Sequence, residues 1–487
     1  MIRLTLAEIA ALTGGTLSAD ATPDTAVTGP VVIDSRKATR GGLFAAVAGE
    51  RADGHDFAAA AVGLGAAAVL AARPLEGVPC VLVPDVTAGL ALLAKGVLAR
   101  LVCPPSPASA SPASAGLIVA GITGSSGKTS TKDVTAQLSE RLGPTVAPEG
   151  SLNNELGLPL TVLRATEETR FLVLEMAARG PGHIAELCRI APPRIGAVLN
   201  VGRAHAGEFG SLETVAKAKG ELVEALPGAA GGGVAILNAD DHRVLAMADR
   251  TSARIVTFSA APRSRSGPRA ADVRAAEITL DDLGRASFRL LMPGGMAPVR
   301  LRLHGAHHVQ NALAAAAIAA ELGMEVPAIA DALSQAEARS GKRMDLRERA
   351  DGVLVINDAY NANPDSMRAG IEALGHMISR GRRGIAVLGH MAELGDIAEE
   401  SHFEAGRQAA EANVAILAAV GESADAAIRG ARSVPGWQGE AVGLPDPAAA
   451  IDLLRYQLHG NDVVLVKASK AAGLWEVADG LLAEVDR

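Results

Sequence analysis

The chain of 487 residues contains few aromatic side chains and few cysteines. Aromatic residues make up 2% of the sequence, whereas apolar residues make up 49%, much of it alanine. This composition predicts aliphatic cores in which helices pack on sheets. The three cysteines, Cys80, Cys103 and Cys188, form neither a disulfide framework nor a Cys-x-x-Cys metal pattern. Such sparse cysteines are typical of the reducing cytosol, and we expect a cytoplasmic location.

An excess of positive charge and a long membrane-spanning run are also missing. The formal net charge is −8, and the one arginine-rich stretch, residues 263–269, has no aromatic residue for base stacking. We therefore expect no nucleic-acid surface. The N-terminal segment lacks a signal-peptide core. The longest apolar run, residues 57–72, is shorter than the roughly 20 residues of a membrane span and predicts a buried helix, a turn and a strand.

The length suggests about three domains at roughly 150 residues each. A strand predicted over 77–84 closes a small N-terminal α/β unit, and a helix follows over 87–101. From Gly352 a new alternation of strands and helices begins, with strands predicted at 353–356, 384–388, 414–420 and 462–466. The sequence therefore predicts an α/β fold with an N-terminal domain over 1–85, a central domain over 86–344 and a third, nucleotide-fold-like domain over 345–487. Within the central domain, the tandem Ser-Pro-Ala-Ser-Ala repeats at 104–115 predict a surface insertion.

The run Gly-Ile-Thr-Gly-Ser-Ser-Gly-Lys-Thr-Ser, residues 121–130, follows an apolar segment and precedes a helix-like stretch over 131–142. Glycines allow backbone N–H groups to turn toward a phosphate, and a helix N-terminus adds partial positive charge. Lys128 can reach the β- and γ-phosphate oxygens, and the Thr129 hydroxyl suits Mg²⁺. The spacing departs from the standard motif, which has glycine where Ile122 stands. A Gly/Ser-rich turn with a surface lysine has a similar composition, but the flanking strand and helix favour a nucleoside-triphosphate site.

Two short apolar runs after this loop, Phe171–Glu175 and 195–200, are typical of buried parallel strands. In open parallel sheets ligands bind at the carboxyl ends of the strands. Glu175, Asn200 and the following His205 would all lie at that edge. Glu175 has the place of a Mg²⁺ ligand, although a glutamate at a strand end is often only solvated.

A lysine-bearing helical stretch follows, and it contains Lys219. The order of Glu175, His205 and Lys219 after the phosphate loop fits a second metal position beside the first. A protonated lysine cannot bind a cation, so Lys219 would have to be neutral or carboxylated.

Residues 357–367 concentrate amide, hydroxyl and carboxylate groups after a predicted strand. A turn that only ends the strand and a binding loop both remain open for this stretch. Near the C-terminus, Val-Lys-Ala-Ser-Lys at 466–470 offers cations at another strand end, where surface lysines are also common. The sequence contains no Asn-Lys-x-Asp motif of the kind that reads guanine in GTPases.

Taken together, these stretches resemble the Mur ligases, the ATP-dependent amino-acid ligases of peptidoglycan synthesis, over essentially the whole chain. Five stretches narrow the resemblance to the activity that adds D-alanyl-D-alanine to a UDP-linked tripeptide; they are residues 34–36, 42–44, 49–57, 153–157 and, most specific, 358–367. The resemblance implies a small N-terminal UDP-binding domain, a central P-loop ATPase-type parallel sheet and a C-terminal Rossmann-like domain. It also implies ATP and Mg²⁺, small-molecule substrates only, and a monomer.

The resemblance also implies a role for each candidate site residue. Lys128, Lys219 and His205 would be catalytic, and Thr129, Glu175, His205 and a carbamylated Lys219 would hold the metal ions. The ATP contacts would be Gly124, Ser125, Ser126, Gly127, Lys128, Thr129, Ser130, Asn311 for adenine, Arg343, and Asp358 from the third domain. The substrate contacts would be Ser35, Arg36, Asp53, Gly54 and His55 for the UDP-sugar, with Asn361 and Asn363 near the incoming dipeptide.

Two single positions and one short stretch depart from the family pattern. His390 stands where aspartate is usual, His308 where asparagine is frequent, and Lys-Ala-Ser-Lys at 467–470 replaces Lys-Gly-Ser-Arg. Another ligase of the family, such as the one that adds the third amino acid, or a folylpolyglutamate synthase is the nearest alternative function. A nucleotide-binding regulator without turnover is an alternative of another class.

Overall fold

The computed structural model describes residues 1–49, 52–102, 116–203, 206–261 and 270–483. The predicted insertion at 104–115, the arginine-rich stretch at 263–269, Cys103 and His205 lie outside the described residues. Within the described ranges the strands form sheets of two, five, nine and six strands.

The N-terminal part is built on a five-stranded sheet. Its elements are β1 (Leu4–Thr5), α1 (Leu6–Thr13), β2 (Thr16–Leu17), β3 (Ala26–Val27), β4 (Val31–Val32), β5 (Leu43–Ala45), α2 (Ala58–Gly63), β6 (Ala68–Ala71), β7 (Cys80–Leu82) and α3 (Val86–Val102). The strand order is β2-β7-β6-β5-β4, with β4 to β7 parallel, while β1 and β3 form a separate antiparallel pair. Helix α1 begins at a capping box, in which the Thr5 side chain and the Glu8 carboxylate each accept a backbone N–H of the other residue.

The central part is built on the nine-stranded sheet. Its elements are β8 (Ile118–Thr123), α4 (Lys128–Glu140), β9 (Thr145–Val146), α5 (Gly157–Val162), β10 (Phe171–Glu175), α6 (His183–Ile190), β11 (Ile195–Val198), α7 (Ala206–Phe209), α8 (Leu212–Glu224), β12 (Val234–Asn238), α9 (His242–Leu245), β13 (Arg254–Ser259), β14 (Val273–Leu280), β15 (Arg285–Met292), β16 (Gly295–His304), α10 (His308–Glu321) and α11 (Val326–Gln335). The strand order is β16-β15-β14-β13-β12-β11-β8-β10-β9. Strands β8 to β14 pair in parallel, and β15 and β16 extend the sheet by antiparallel pairing.

The position of β8 in this sheet is decisive for the site. The chain goes from β8 to β9 and β10 on one side and returns to β11 on the other side. Strand β8 is therefore at a switch point, where the loops after neighbouring strands diverge and leave a crevice at their carboxyl ends.

The third part is built on the six-stranded sheet. Its elements are β17 (Asp345–Glu348), β18 (Leu354–Asp358), α12 (Pro364–Ser379), β19 (Arg383–Leu388), α13 (Ala398–Glu411), β20 (Ile416–Val420), α14 (Ala424–Arg432), β21 (Glu440–Leu444), α15 (Pro447–Arg455), β22 (Asp462–Lys467) and α16 (Trp475–Ala483). The order is β17-β18-β22-β19-β20-β21, parallel except for β17.

Helix α3 connects the first two parts. It packs against α1 on one side and against α5 and α6 on the other. Its Leu90 and Val97 share one continuous core with Leu6 of α1 and Leu158 of α5. Burial of each such side chain contributes roughly 1.5–3 kcal/mol, so α3 ties the five-stranded and nine-stranded sheets together. The predicted domain boundary after residue 85 stays a prediction.

The α/β fold class is confirmed, and so are most of the predicted strands. Strand β10 covers the predicted range Phe171–Glu175, and residues 57–72 contain a helix, a turn and a strand as predicted. The helix predicted over 131–142 starts earlier, at Lys128, and ends at Glu140. The antiparallel strands β15 and β16 were not predicted. Among the described residues, no helix combines the length and the apolar character of a membrane span.

Candidate active site

The loop between β8 and α4 has the geometry of a phosphate cradle. Gly127 precedes α4 with a φ of +79°, a left-handed conformation that glycine adopts without strain. A Cβ atom at this position would lie 2.5 Å from Asn311 Oδ1. The Lys128 ammonium donates a hydrogen bond to the Gly124 carbonyl, 2.8 Å away, across the loop. The N-terminus of α4, which follows Gly127 directly, is the part of the loop suited to bind a phosphate.

The loop that follows β11 braces this cradle from the side. Asn200 Oδ1 accepts the Ser126 N–H at 2.9 Å, and its amide nitrogen donates to the Ser126 carbonyl at 3.2 Å. Ser125 Oγ accepts the Gly202 N–H at 2.8 Å. Asn200 was predicted only to lie at this sheet edge, and the structure gives it the role of a brace.

Thr129 and Glu175 stand side by side beneath the loop. The Thr129 hydroxyl donates to Glu175 Oε2 at 2.9 Å and lies 3.2 Å from Ser151 Oγ. Asn153 Nδ2 donates to the other carboxylate oxygen of Glu175 at 2.6 Å. Glu175 is buried. A hydroxyl and a carboxylate in contact are the oxygen donors that Mg²⁺ prefers, so this pair fits a magnesium ion.

Lys219 lies on α8 with a side chain that is 3% exposed. Burial, together with the charge of Lys128, holds the pKa of the Lys219 amine well below its usual range. Burial also lowers the pKa of Lys128, against the opposing effect of the Glu175 carboxylate. The environment of Lys219 therefore favours the neutral amine, which is the form that reacts with carbon dioxide. Among the described residues no cluster of three or more His, Cys, Asp or Glu side chains suits a metal ion.

Asn311, on α10, faces the phosphate loop from above the sheet. Its carbonyl oxygen accepts a hydrogen bond from the Thr131 hydroxyl at 3.3 Å, and its amide nitrogen donates to His308 Nδ1 at 3.4 Å. Burial, reinforced by His307 and His304, holds the pKa of His308 well below its usual range. A neutral His308 can accept this hydrogen bond, so the departure from asparagine at position 308 keeps an acceptor at this place.

The third part supplies the opposite wall. Asp358, at the end of β18, accepts the Met344 N–H at 3.1 Å and forms an ion pair with Lys467, whose side chain is buried. Lys467 also donates to the Asn361 carbonyl at 3.3 Å. Asn363 caps α12, because its side chain accepts the Ser366 N–H at 2.9 Å. The stretch 357–367 is therefore both a turn and a cleft wall.

Arg343 connects the two walls. It donates to Ser151 Oγ at 2.8 Å, and its guanidinium lies 4.5 Å from the ring centre of Tyr360. The Lys470 ammonium lies 5.8 Å from the centre of the same ring. Lys470 belongs to the Lys-Ala-Ser-Lys stretch that differs from the family pattern. His390, the other departure in the third part, contacts Ser423 Oγ at 2.7 Å and stacks on His402.

Many of these groups line a cleft of about 740 Å³, whereas Gly124, Lys219, His390 and Lys470 are not part of its lining. Twelve predicted site residues line it: Ser125, Ser126, Gly127, Lys128, Thr129, Ser130, Glu175, Asn311, Arg343, Asp358, Asn361 and Asn363. Helix α3 and the turn before it contribute Asp85, Thr87, Ala88 and Ala91 to the same cleft. Ser151 and Lys467 also line the cleft. The prediction missed Ser151, which belongs to no motif, and named Lys467 only as a cation at a strand end without assigning it to the site.

The predicted UDP-sugar residues lie apart from this cleft lining. Arg36 is exposed and pairs with Asp34 at 2.8 Å. His55 donates from Nδ1 to Asp53 at 2.6 Å and accepts the Ala72 N–H at Nε2, 2.9 Å away. Both ring nitrogens are thus occupied within the protein, and His55 holds Asp53 in place. Gly54 fits against Val47, whose carbonyl oxygen would be 2.7 Å from an added Cβ atom. Ser35 begins the short 3₁₀ helix Ser35–Lys37.

Three family models match consecutive parts of the chain. The Mur ligase middle domain matches residues 122–319, the Mur ligase glutamate ligase domain matches 342–470, and the catalytic domain of the Mur ligase family matches 30–89. The chain belongs to the Mur ligase family, as its motifs indicated.

Full-length relatives make the similarity more specific. The chain is 50% identical to the UDP-N-acetylmuramoyl-tripeptide–D-alanyl-D-alanine ligase of Mycobacterium tuberculosis H37Rv, over 99% of this chain and 98% of that protein. It is 36% identical to the Escherichia coli K12 ligase of the same name, over 99% of both. Two solved structures also match: MurF from Acinetobacter baumannii, at 31% identity, a TM-score of 0.84 and 99% coverage of both chains, and MurF from Thermotoga maritima in complex with ADP, at 28% identity, a TM-score of 0.75 and 94% and 98% coverage.

Replacement of Gly127 by alanine tests the phosphate cradle. A left-handed φ and the 2.5 Å approach to Asn311 leave no room for a methyl group, so we expect Gly127→Ala to weaken ADP binding about tenfold or more. Isothermal titration calorimetry with ADP and Mg²⁺ measures this. Gly180→Ala is the control, because an added Cβ atom there meets nothing within 4 Å. Equal affinities for the two variants would contradict the assignment.

Proposed function

We propose that this chain joins D-alanyl-D-alanine to UDP-N-acetylmuramoyl-tripeptide with ATP, giving UDP-N-acetylmuramoyl-pentapeptide, ADP and phosphate. One observation carries the proposal: Asp358, Asn361 and Asn363 of the most specific motif line the same cleft as the phosphate loop. The full-length relatives that bear this activity in their names support it. The proposal places the chain in cytoplasmic peptidoglycan precursor synthesis, as a monomer.

The reaction has to make a carboxylate reactive. A carboxylate is a poor electrophile because its negative charge repels nucleophiles. Transfer of the γ-phosphoryl group to the terminal carboxylate of the tripeptide gives an acyl phosphate, which has a good leaving group. The amine of D-alanyl-D-alanine attacks its carbonyl carbon, and the tetrahedral intermediate expels phosphate as the peptide bond forms.

The cleft residues favour this chemistry by position and charge. Lys128 and the N-terminus of α4 border the space where the negative charge of the phosphates would build up. Asp358, Arg343 and Asn311 would hold the nucleotide between the second and third parts of the chain. A cleft that holds three substrates in contact supplies up to roughly 7–11 kcal/mol of the barrier reduction through orientation alone.

The residues present also fit magnesium. Thr129 and Glu175 supply a hydroxyl and a carboxylate at the base of the cradle. We propose that Thr129 holds the first ion, and that Glu175, His205 and a carbamylated Lys219 serve the second. Carbamylation converts the lysine amine into an anion, which removes the objection that an ammonium repels cations. Bound Mg²⁺ would neutralise charge on the phosphate oxygens.

Another amino-acid ligase of the family is the nearest alternative. The solved UDP-N-acetylmuramoyl-L-alanyl-D-glutamate–2,6-diaminopimelate ligase matches at 21% identity with a TM-score of 0.52, which shows a shared fold alone. Relatives at 50% and 36% identity over nearly the whole chain carry the D-alanyl-D-alanine name instead. The specific motif and these relatives favour the dipeptide as the incoming amine.

Phosphate release with defined substrate mixtures tests the proposed reaction. We expect release from ATP only when UDP-N-acetylmuramoyl-tripeptide and D-alanyl-D-alanine are both present, because the acyl phosphate needs its acceptor amine to turn over. Lys128→Ala is the matched control and should lose at least about 100-fold in kcat/KM. Release that needs a single amino acid in place of the dipeptide, or an unaffected Lys128→Ala variant, would refute the proposal.

Replacement of Lys219 tests the second metal position. The proposed carbamate contributes a negative charge, so we expect Lys219→Ala to lose about 100-fold or more in kcat and to recover part of it with added acetate or formate. Lys219→Arg is the control, since it keeps a cation that cannot be carbamylated and should stay inactive in the same salts. A Lys219→Ala variant with full activity would remove this part of the proposal.

A further inference from the structure

A buried ion pair lies in the second turn of α4, one turn after the phosphate loop. Lys132 and Asp133 are 2% and 5% exposed, and the Lys132 ammonium contacts Asp133 Oδ1. Buried charges are costly to desolvate, and a buried pair adds little net stability over apolar residues of the same size. A gain in stability therefore explains this pair poorly. The other hydrogen bonds of Lys132 and Asp133 indicate a different role.

Asp133 holds the segment that connects the nine-stranded sheet to the six-stranded sheet, residues 336–344. Its second carboxylate oxygen accepts the Ser340 N–H at 3.0 Å. Further along the same face of α4, the Gln137 side chain bonds both the N–H and the carbonyl of Glu337, at 3.0 and 2.8 Å. Glu140 pairs with both terminal nitrogens of Arg339. Of these three contacts, the one between Asp133 and Ser340 lies nearest to Arg343 along the chain.

Lys132 holds a second segment, on the other side of the phosphate loop. Its ammonium donates to the Pro148 carbonyl at 2.9 Å. The residues that follow Pro148 include Ser151, which lies 3.2 Å from the Thr129 hydroxyl, and Asn153, which donates to Glu175. Lys132 therefore anchors the loop that orients the two proposed magnesium ligands.

The two held segments meet beside the site. Arg343, from the connecting segment, donates to Ser151, from the loop, at 2.8 Å. Its neighbours Lys342 and Met344 have φ values of +63° and +51°, which are strained for side chains of this kind. Such strain persists only where the surrounding structure holds the backbone on both sides. On the side of the nine-stranded sheet, Asp133 fixes the backbone by accepting the Ser340 N–H. On the side of the six-stranded sheet, Asp358 fixes it by accepting the Met344 N–H.

We propose that Lys132 and Asp133 are a positioning pair, which sets Arg343 and Ser151 against the phosphate loop and so fixes the nucleotide between the two sheets. The pair touches no substrate and acts through Arg343. This inference rests on the proposed function only in taking Arg343 as a nucleotide contact.

A double-mutant cycle on ADP affinity tests the inference. We expect Asp133→Ala to weaken ADP binding about tenfold in the otherwise unchanged chain and less than about twofold in an Arg343→Ala background. Asp133→Asn, which keeps an acceptor oxygen for the Ser340 N–H, should fall between Asp133→Ala and the unchanged chain. Glu140→Gln is the matched control on the same helix face, since its pair with Arg339 is exposed, and should change affinity less than about twofold.

Removal of one partner of a buried pair can unfold a protein, so a second variant is needed. Lys132→Met with Asp133→Leu removes both charges and leaves no unpaired one, and it should show the same loss of ADP affinity with a thermal midpoint close to that of the unchanged chain. Losses of equal size in both Arg343 backgrounds, or no loss in either, would overturn the inference. The cycle needs no ligation, so a chain that binds ADP but forms no pentapeptide would refute the proposed reaction and leave this test intact.

Discussion

The whole site depends on β8 lying between β10 and β11. Parallel pairing sets Glu175 beside Ile122 and Val198 beside Thr123, so the ends of three strands are fixed at one edge. The phosphate loop follows β8. Glu175 is the last residue of β10, and Asn200 lies just after the end of β11. The hydrogen bond from Thr129 to Glu175 is a direct consequence of this register. A slip of one residue in either pair would turn these side chains to the other face of the sheet.

Several ionisable side chains near this edge of the sheet are buried or half-buried. Glu175 and Lys467 are each 1% exposed, and Asp358, the partner of Lys467, is half-buried. Electrostatic interactions in such surroundings are stronger than in water, and every unpaired charge costs more. This explains why the site is built from matched groups, with the carboxylates held by hydroxyl, amide or ammonium donors.

The sequence predicted the strands that carry the site and missed how the loops between them meet. All five residues of β10 are buried, and such an apolar run between polar residues is a strong signal. Helix α4 was predicted to start too late because Lys128, Thr129 and Ser130 are polar, although they begin the helix at the phosphate loop. Strand β16 contains Pro298 and alternating arginines, which obscured the antiparallel extension. Ser151 and Lys467 come close to Arg343 and Asp358 only through tertiary packing, and no local pattern reports that. The roles of Lys219 and of the UDP-sugar residues came from the resemblance and stay predictions.

The central claim is that the phosphate loop activates a carboxylate for attack by an amine. Transfer of oxygen from substrate to phosphate tests this most directly. The terminal carboxylate of UDP-N-acetylmuramoyl-tripeptide would be labelled with ¹⁸O, turned over with ATP and D-alanyl-D-alanine, and the released phosphate examined by mass spectrometry. An acyl phosphate requires that one labelled oxygen leave with each phosphate. Phosphate that carries no label while pentapeptide forms would contradict the account.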